Sequence, residues 1–128
     1  MLTGKLDHGG EMIRTVLVAN RGEIACRILR ACSEAGLTSV AVYADNDAGS
    51  MFTELATIAV PLEGDTIAET YLNQEQILAI AGAHNVDAIH PGFGFLSERA
   101  DFAQAVTDAG INWICLLYTS PSPRDRYG

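Results

Sequence analysis

Near its start the chain passes from an apolar run, Val16-Leu17-Val18-Ala19, through Asn20-Arg21 directly into Gly22-Glu23 and a stretch of helical spacing. Four consecutive apolar residues, two of them β-branched, have the composition of a strand buried on both faces, and such strands belong to parallel sheets covered by helices on either side. That unit restricts the chain to the α/β class. Asn20 fits a helix N-cap and Glu23 the third helical position, which predicts a capping box in which both side chains pair backbone N–H groups of the first turn. The turn lies at the carboxyl end of a strand and the positive end of a helix, where open parallel sheets bind ligands.

The unit then repeats. From Gly22 to Ala35, the residues Ile24, Ala25, Ile28, Leu29, Cys32 and Ala35 recur at threes and fours as one stripe for the sheet, and Gly36 stops the helix. The opposite stripe carries Glu23, Arg27, Arg30 and Glu34. Glu23/Arg27 and Arg30/Glu34 are spaced as surface ion pairs, and the stripe reads either as a solvated face or as a charged subunit contact. Further strands are predicted at Ser39–Tyr43, at Thr57–Val60 (cut off by Pro61), at Val86–Ile89 and from Ile111 to Ile114. Helices are predicted at Met51–Ala56, at Asn73–His84 and from a Ser97 N-cap to Ala109, closed by Gly110, with Leu62–Tyr71 a connecting loop. Connections too long for hairpins imply parallel strands and right-handed crossovers. The predicted fold is α/β, an open parallel Rossmann-like sheet with flanking helices.

Two turns invite chemistry. After the second strand, Asp45 stands where a dinucleotide-binding fold keeps the acid that holds a ribose hydroxyl. The first turn, however, reads Ala19-Asn20-Arg21-Gly22-Glu23-Ile24 and not Gly-x-Gly-x-x-Gly, so a pyrophosphate would lack its glycine cradle. Asp45 and Asp47 therefore read as turn formers and caps. The fourth strand ends in His90-Pro91-Gly92-Phe93-Gly94-Phe95-Leu96-Ser97-Glu98, where Pro91 stops regular structure and the two glycines permit positive φ and close approach by a ligand or by packed backbone. A binding loop and a tight structural turn are both compatible with that string. His90 reads as a hydrogen-bonded structural histidine rather than a catalyst.

Length and charge bound the partners. With 128 residues the chain is one domain, and a formal net charge of −8 opposes the basic face that nucleic acid or anionic lipid demands. No stretch is long and apolar enough to span a membrane, and residues 1–12 read as a flexible, solvated leader rather than a signal peptide, with Met12 a second candidate start. Cys26 and Cys32, six apart on one helix, suit neither a disulfide nor a metal-ligand pattern and read as reduced core thiols. These features predict a soluble, cytoplasmic protein with no nucleic-acid partner, no membrane contact and no metal site.

With both turns in view, the chain resembles the N-terminal domain of biotin carboxylase, which opens the acetyl-CoA, propionyl-CoA and pyruvate types of biotin-dependent carboxylase. The carrying residues are Val18-Ala19-Asn20-Arg21-Gly22-Glu23-Ile24-Ala25, Arg27 and Arg30, Ser39-Val40-Ala41-Val42-Tyr43, Thr70-Tyr71-Leu72, and Ala88-Ile89 with the His90–Glu98 string, so the resemblance runs from about Ile13 to Ile114. It implies an ATP- and Mg-dependent ligase that phosphorylates bicarbonate, releases carbon dioxide from the carboxyphosphate and carboxylates the ureido nitrogen of carrier-bound biotin. In the family this domain precedes an ATP-grasp fold that carries the glycine-rich lid, the magnesium carboxylates and the catalytic base and arginine. No catalytic residue is therefore expected in this chain, and alone it is expected neither to turn over nor to bind those cofactors. Pro91, Gly92, Phe93 and Gly94 match the family's loop on the biotin side of the cleft; the usual tyrosine is Phe93 here, which keeps a ring face and loses a hydroxyl. Arg27, Arg30 and Glu34 match positions at the family's homodimer contact. The implied partners of the whole protein are the biotin carboxyl carrier, the carboxyltransferase and a second copy of itself.

There are departures from the family pattern. Thr57 stands where an acid is usual and Arg99 where an asparagine is common. From Cys115 to Gly128 the family pattern is lost altogether, and this string resembles one reading frame of a transposase-type sequencing adapter joined to a truncated gene; a natural disordered terminus would carry similar prolines and polar residues. The division so read is a leader at 1–12, the biotin carboxylase N-terminal domain at 13–114 with its sheet incomplete at the C-terminal end, and a non-homologous tail at 115–128. The alternative function is a stand-alone nucleotide-binding or dimerisation module.

Overall fold

The computed structural model describes residues 7–8 and 11–114; the remainder of the expected leader and the whole tail from Cys115 lie outside the described residues. Strands β1 (Asp7–His8) and β2 (Glu11–Met12) pair antiparallel as a short hairpin. The other five form one sheet: β3 (Thr15–Val18), β4 (Thr38–Tyr43), β5 (Ile58–Pro61), β6 (Ala88–His90) and β7 (Asn112–Trp113). Their order is β5-β4-β3-β6-β7 and every pairing is parallel. Successive strands run outward from β3 to one edge and then from β6 to the other, so the topological switch point lies between β3 and β6.

Both sheet faces are covered, as the apolar runs require. Because side chains alternate along a strand, Leu17 packs on one face with Val40, Val42 and Ile89, while Val16 and Val18 pack on the other with Ala41 and Ala88. The first face receives Ile77 and Ala81 from α3 (Gln74–Ala83) and Phe102 and Val106 from α4 (Ala100–Asp108). The second receives Ala25, Leu29 and Cys32 from α1 (Gly22–Glu34) and Phe52 from α2 (Met51–Leu55). Leu29, fully buried, contributes on the order of 2 kcal/mol by area. Cys26 and Cys32 are free, buried thiols, and burial pushes the Cys32 thiol up to about 11. Gly36 and Gly110 follow α1 and α4, as their stop positions predict.

The central strands are held in register by side chains as well as by the ladder. Asp87 Oδ2 accepts from the backbone N–H groups of Arg14 (3.0 Å) and Thr15 (2.9 Å), which ties the entrance of β3 to that of β6. Thr57 forms a reciprocal pair with Ser39: Ser39 N donates to Thr57 Oγ1 (3.1 Å) and Thr57 N to Ser39 Oγ (3.0 Å). Each hydroxyl oxygen thus accepts a backbone N–H from the other residue, which holds the start of the edge strand to β4. Pro61, without an N–H, is accommodated because β5 is an edge strand, and Leu62 N closes the ladder onto Tyr43 O at 2.7 Å.

Four local expectations are corrected. Asn20 and Glu23 form no capping box: the N-cap is Arg21, no side chain caps it, and Asn20 is drawn to a distant loop instead. Ser97 caps nothing, because Phe95–Glu98 is a separate 3₁₀ turn and α4 begins at Ala100 after Arg99. Asp47 does lie in the turn after β4, within the 3₁₀ segment Asp45–Asp47, but its side chain caps nothing there and is buried against Arg21 and Tyr71. Neither Glu23/Arg27 nor Arg30/Glu34 closes to an ion pair; among the described residues the salt bridges are Arg21–Asp47 and Arg99–Asp101. Exposed pairs on a helix gain too little from contact to offset the ordering of two long side chains.

Candidate functional site

The two strand-to-helix turns meet at the switch point. Beyond β3 the ladder continues for one more bond, Ala19 N to His90 O at 3.0 Å, which brings the turn after β3 against the loop after β6. Asn20, only 1% exposed, then reaches across: its Nδ2 donates to Pro91 O and to Phe93 O, both at 2.8 Å, while its Oδ1 accepts from Arg21 N at 2.9 Å. Gly92 lies directly on this amide. A Cβ built there would stand 2.6 Å from Asn20 Nδ2 and 3.0 Å from Ile24 Cγ2, and φ is +72°. The crevice where a doubly wound sheet would seat a pyrophosphate is therefore filled by an asparagine amide and a glycine, and Asp45, the sequence candidate for a ribose contact, is an exposed residue of the turn after β4.

His90 supports the loop from below. Its Nδ1 accepts from Gly92 N at 3.1 Å, so the neutral ring carries its proton on Nε2. The side chain is buried, and desolvation pushes its pKa down to about 4. The linkage has a definite sign: between pH 6.5 and about 4 the unfolded chain takes up a proton that the folded chain refuses. Stability is complete above that window and falls as pH is lowered through it, by up to ~3 kcal/mol. Urea denaturation at pH 7.5 and pH 4.5 checks this, and in His90→Asn, which retains an acceptor but does not titrate, most of the difference should disappear. An equal loss in that variant would assign the acid sensitivity elsewhere.

From this base the loop presents a sequence of contrasting surfaces. Pro91 and Gly92 are buried, Phe93 is 63% exposed and Gly94 is half-buried. Gly94 opens the 3₁₀ turn, Ser97 N closes it onto Gly94 O at 2.8 Å, and Phe95 turns its ring onto Tyr71, with centroids 5.4 Å apart. Phe93 is thus an apolar ring left in solvent at the carboxyl ends of the central strands, on a backbone that is pinned on both sides.

Beside the loop lies a charged brace. The Arg21 guanidinium meets the Asp47 carboxylate through two bonds, Nε to Oδ2 at 2.7 Å and Nη2 to Oδ1 at 2.5 Å, and Tyr71 Oη donates to Oδ2 at 2.6 Å. Tyr71 Oη also accepts from Ala44 N at 3.1 Å. The guanidinium holds the Asp47 carboxyl below the usual range, and burial with the carboxylate as neighbour raises the Tyr71 phenol. A cavity of about 220 Å³ opens beside the brace, between Arg21, Asn46, Thr66 and Tyr71. No group of three His, Cys, Asp or Glu side chains among the described residues is placed to hold a metal ion.

The sequence profile described as biotin carboxylase, N-terminal domain, matches residues 12–116, which take in both turns and the sheet. The chain belongs to the biotin carboxylase N-terminal domain family. The biotin-dependent acyl-coenzyme A carboxylase alpha3 subunit of Mycobacterium leprae is 53% identical over 91% of this chain and 19% of that protein. Human mitochondrial pyruvate carboxylase is 49% identical over 87% of this chain and 9% of its own length. The biotin carboxylase domain of a single-chain bacterial carboxylase superimposes with a TM-score of 0.75 at 50% identity, over 78% of this chain and 23% of that one. The chain thus spans less than a quarter of each of these relatives and is homologous to the N-terminal part of biotin carboxylases.

Within this biotin carboxylase N-terminal domain the second set of sequence candidates stands apart from the loop. Arg27, Arg30 and Glu34 are exposed on α1, and Arg30 Nη2 lies 3.6 Å from Sδ of the exposed Met51. Asp47 and Tyr71 escaped the sequence reading as partners. A weak signal existed: Tyr71 belongs to the Thr70-Tyr71-Leu72 match, and an aromatic in an otherwise polar connection has to be buried somewhere. No helix among the described residues is long and apolar enough to cross a membrane.

Proposed function

We propose that this chain is the N-terminal portion of a biotin carboxylase, a larger ligase that uses ATP, Mg and bicarbonate to carboxylate biotin held on a carrier domain or protein. The observation that carries the reading is a loop, Pro91 to Gly94, whose backbone is fixed by buried bonds while one aromatic ring, Phe93, remains exposed. A flat apolar ring on a rigid backbone suits the fused bicycle of biotin, which offers an apolar edge for packing. Pro91, Gly92, Phe93 and Gly94 line the biotin side of the cleft; they bind and orient, and supply no proton or nucleophile. The filled crevice between β3 and β6 leaves no cradle for a nucleotide, so ATP and Mg fall to the part of the enzyme beyond this chain. That geometry also argues against a stand-alone nucleotide-binding module.

In the complete carboxylase carrying this domain, Phe93→Ala is expected to raise KM for free biotin roughly three- to tenfold with KM for ATP unchanged, since an aromatic packing contact is lost. An unchanged KM for biotin would remove the loop from the biotin site. Arg27, Arg30 and Glu34 form the homodimer face of that enzyme: they are charged, exposed and unpaired with one another on α1. Sedimentation of Arg30→Glu tests this, with a weaker dimer expected. A carboxyltransferase is the onward partner, receiving the carboxyl group from the carrier. The free buried thiols of Cys26 and Cys32 suit a reducing compartment such as the cytoplasm.

A further inference from the structure

Every polar atom of the Asn20 side chain is paired, and the two bonds from its nitrogen go to residues 71 and 73 positions away. The hydrogens of a primary amide diverge from one nitrogen, so a single group can hold two carbonyls that are two residues apart in an arch. Pro91 O and Phe93 O meet that requirement at 2.8 Å each, and Gly92 between them is pressed so close to the amide that no Cβ fits. At 1% exposure of Asn20, water does not compete for these bonds. Phe93 itself is 63% exposed, so the direction of its ring depends on the peptide planes beneath it.

We infer that Asn20 is a positioning residue for the ligand-facing loop: by drawing the Pro91 and Phe93 carbonyls inward, it fixes the Pro91–Gly92 and Phe93–Gly94 peptide units, between which Phe93 is carried, and sets how that ring is presented to biotin. The inference rests on the reading of the loop as biotin-facing, and it adds a residue that touches no substrate. The chemistry is specific to asparagine. Aspartate has the same size and can still accept from Arg21 N but has no hydrogens for the carbonyls; serine has one hydrogen and a shorter reach; glutamine is one methylene too long for a site this close.

Two readouts separate the inference from the reading beneath it. In this chain, amide hydrogen exchange of Asn20→Asp should show the Gly92 and Ser97 N–H groups exchanging at least about tenfold faster, with the amides of α3 unchanged, because only the loop has lost its anchor. Should Asn20→Asp fail to fold, Asn20→Ser, uncharged and retaining one donor, gives the same test with a smaller change. In the complete carboxylase, the same variant should raise KM for free biotin about tenfold and leave KM for ATP in place. Unchanged loop exchange overturns the positioning role whatever the loop binds. Faster exchange with a normal KM for biotin, while Phe93→Ala still raises it, overturns the positioning role and leaves the biotin reading standing. Faster exchange with neither variant affecting biotin overturns the biotin reading and the inference with it.

Discussion

Gly92→Val is expected to cost the domain about 3–5 kcal/mol, a large fraction of the ~5–15 kcal/mol by which folded domains are ordinarily stable. Two terms add. The backbone at Gly92 has φ +72°, a region that β-branched residues reach only under strain, and the first added carbon would stand 2.6 Å from Asn20 Nδ2 and 3.0 Å from Ile24 Cγ2. Neither neighbour can yield cheaply, since Asn20 is tied by three hydrogen bonds and Ile24 is part of α1. Gly94 supplies the comparison. It shares φ +72° but has open space where a Cβ would go, so Gly94→Ala should carry the backbone term alone, about 1–3 kcal/mol. Chemical denaturation of both variants checks the order: a Gly94 variant as unstable as the Gly92 variant would mean that strain, not the contact with Asn20, governs this loop.

The second large effect is expected at Asp47. Asp47→Ala removes a buried carboxylate that two residues depend on, leaving the Tyr71 hydroxyl without its acceptor and the Arg21 guanidinium without its counter-charge. Arg21 keeps 46% side-chain exposure and can rehydrate, so the loss is smaller than for a wholly buried pair, about 2–4 kcal/mol in total. Tyr71→Phe, which removes only the hydroxyl and its bonds to Asp47 and Ala44, should cost about 1–2 kcal/mol. The double variant should then cost clearly less than the sum, because both changes delete the same bond. Additive losses in urea denaturation would show that the three side chains do not act as a unit. The depressed Asp47 pKa adds a pH signature: this stabilisation is complete above the ordinary carboxylate range near pH 4 and disappears as pH falls through the lower, folded value.

Both effects concern one architectural fact. The turn after β3 is braced on one flank by Asn20 against the Pro91–Phe93 arch, and on the other by Arg21 against Asp47 and Tyr71, whose ring in turn carries Phe95. Adjacent residues of a single turn thus hold the loop from two sides. In a site that has to orient a ligand without reacting with it, such a frame reduces the ordering needed on binding.

The apolar stripe of α1, the buried strands β3 and β4, the helix α3, the body of α4 and the parallel direction of the strands were legible in the residues themselves, because they depend on periodicity, composition and connection length. The likeness to the biotin carboxylase N-terminal domain was legible too, in two motifs long enough to be specific. What each polar residue of those motifs does was not. Asn20 looks like a helix cap locally, and becomes a cross-loop anchor only when residues 71 and 73 positions later arrive beside it. Asp47 looks like a turn residue until Tyr71 and Arg21 close on it, and Asp87, placed in the fourth strand by the sequence pattern, stands just before β6, where the N–H groups of Arg14 and Thr15, more than seventy positions away, are brought to its carboxylate. The physical reason is common to all three: a hydrogen-bonding side chain takes the best partner that packing delivers, and the cost of leaving buried N–H and C=O groups unpaired outweighs a local cap that water can replace. Sequence determined where the main strands and helices of the parallel sheet lie; tertiary structure decided which polar groups hold them together.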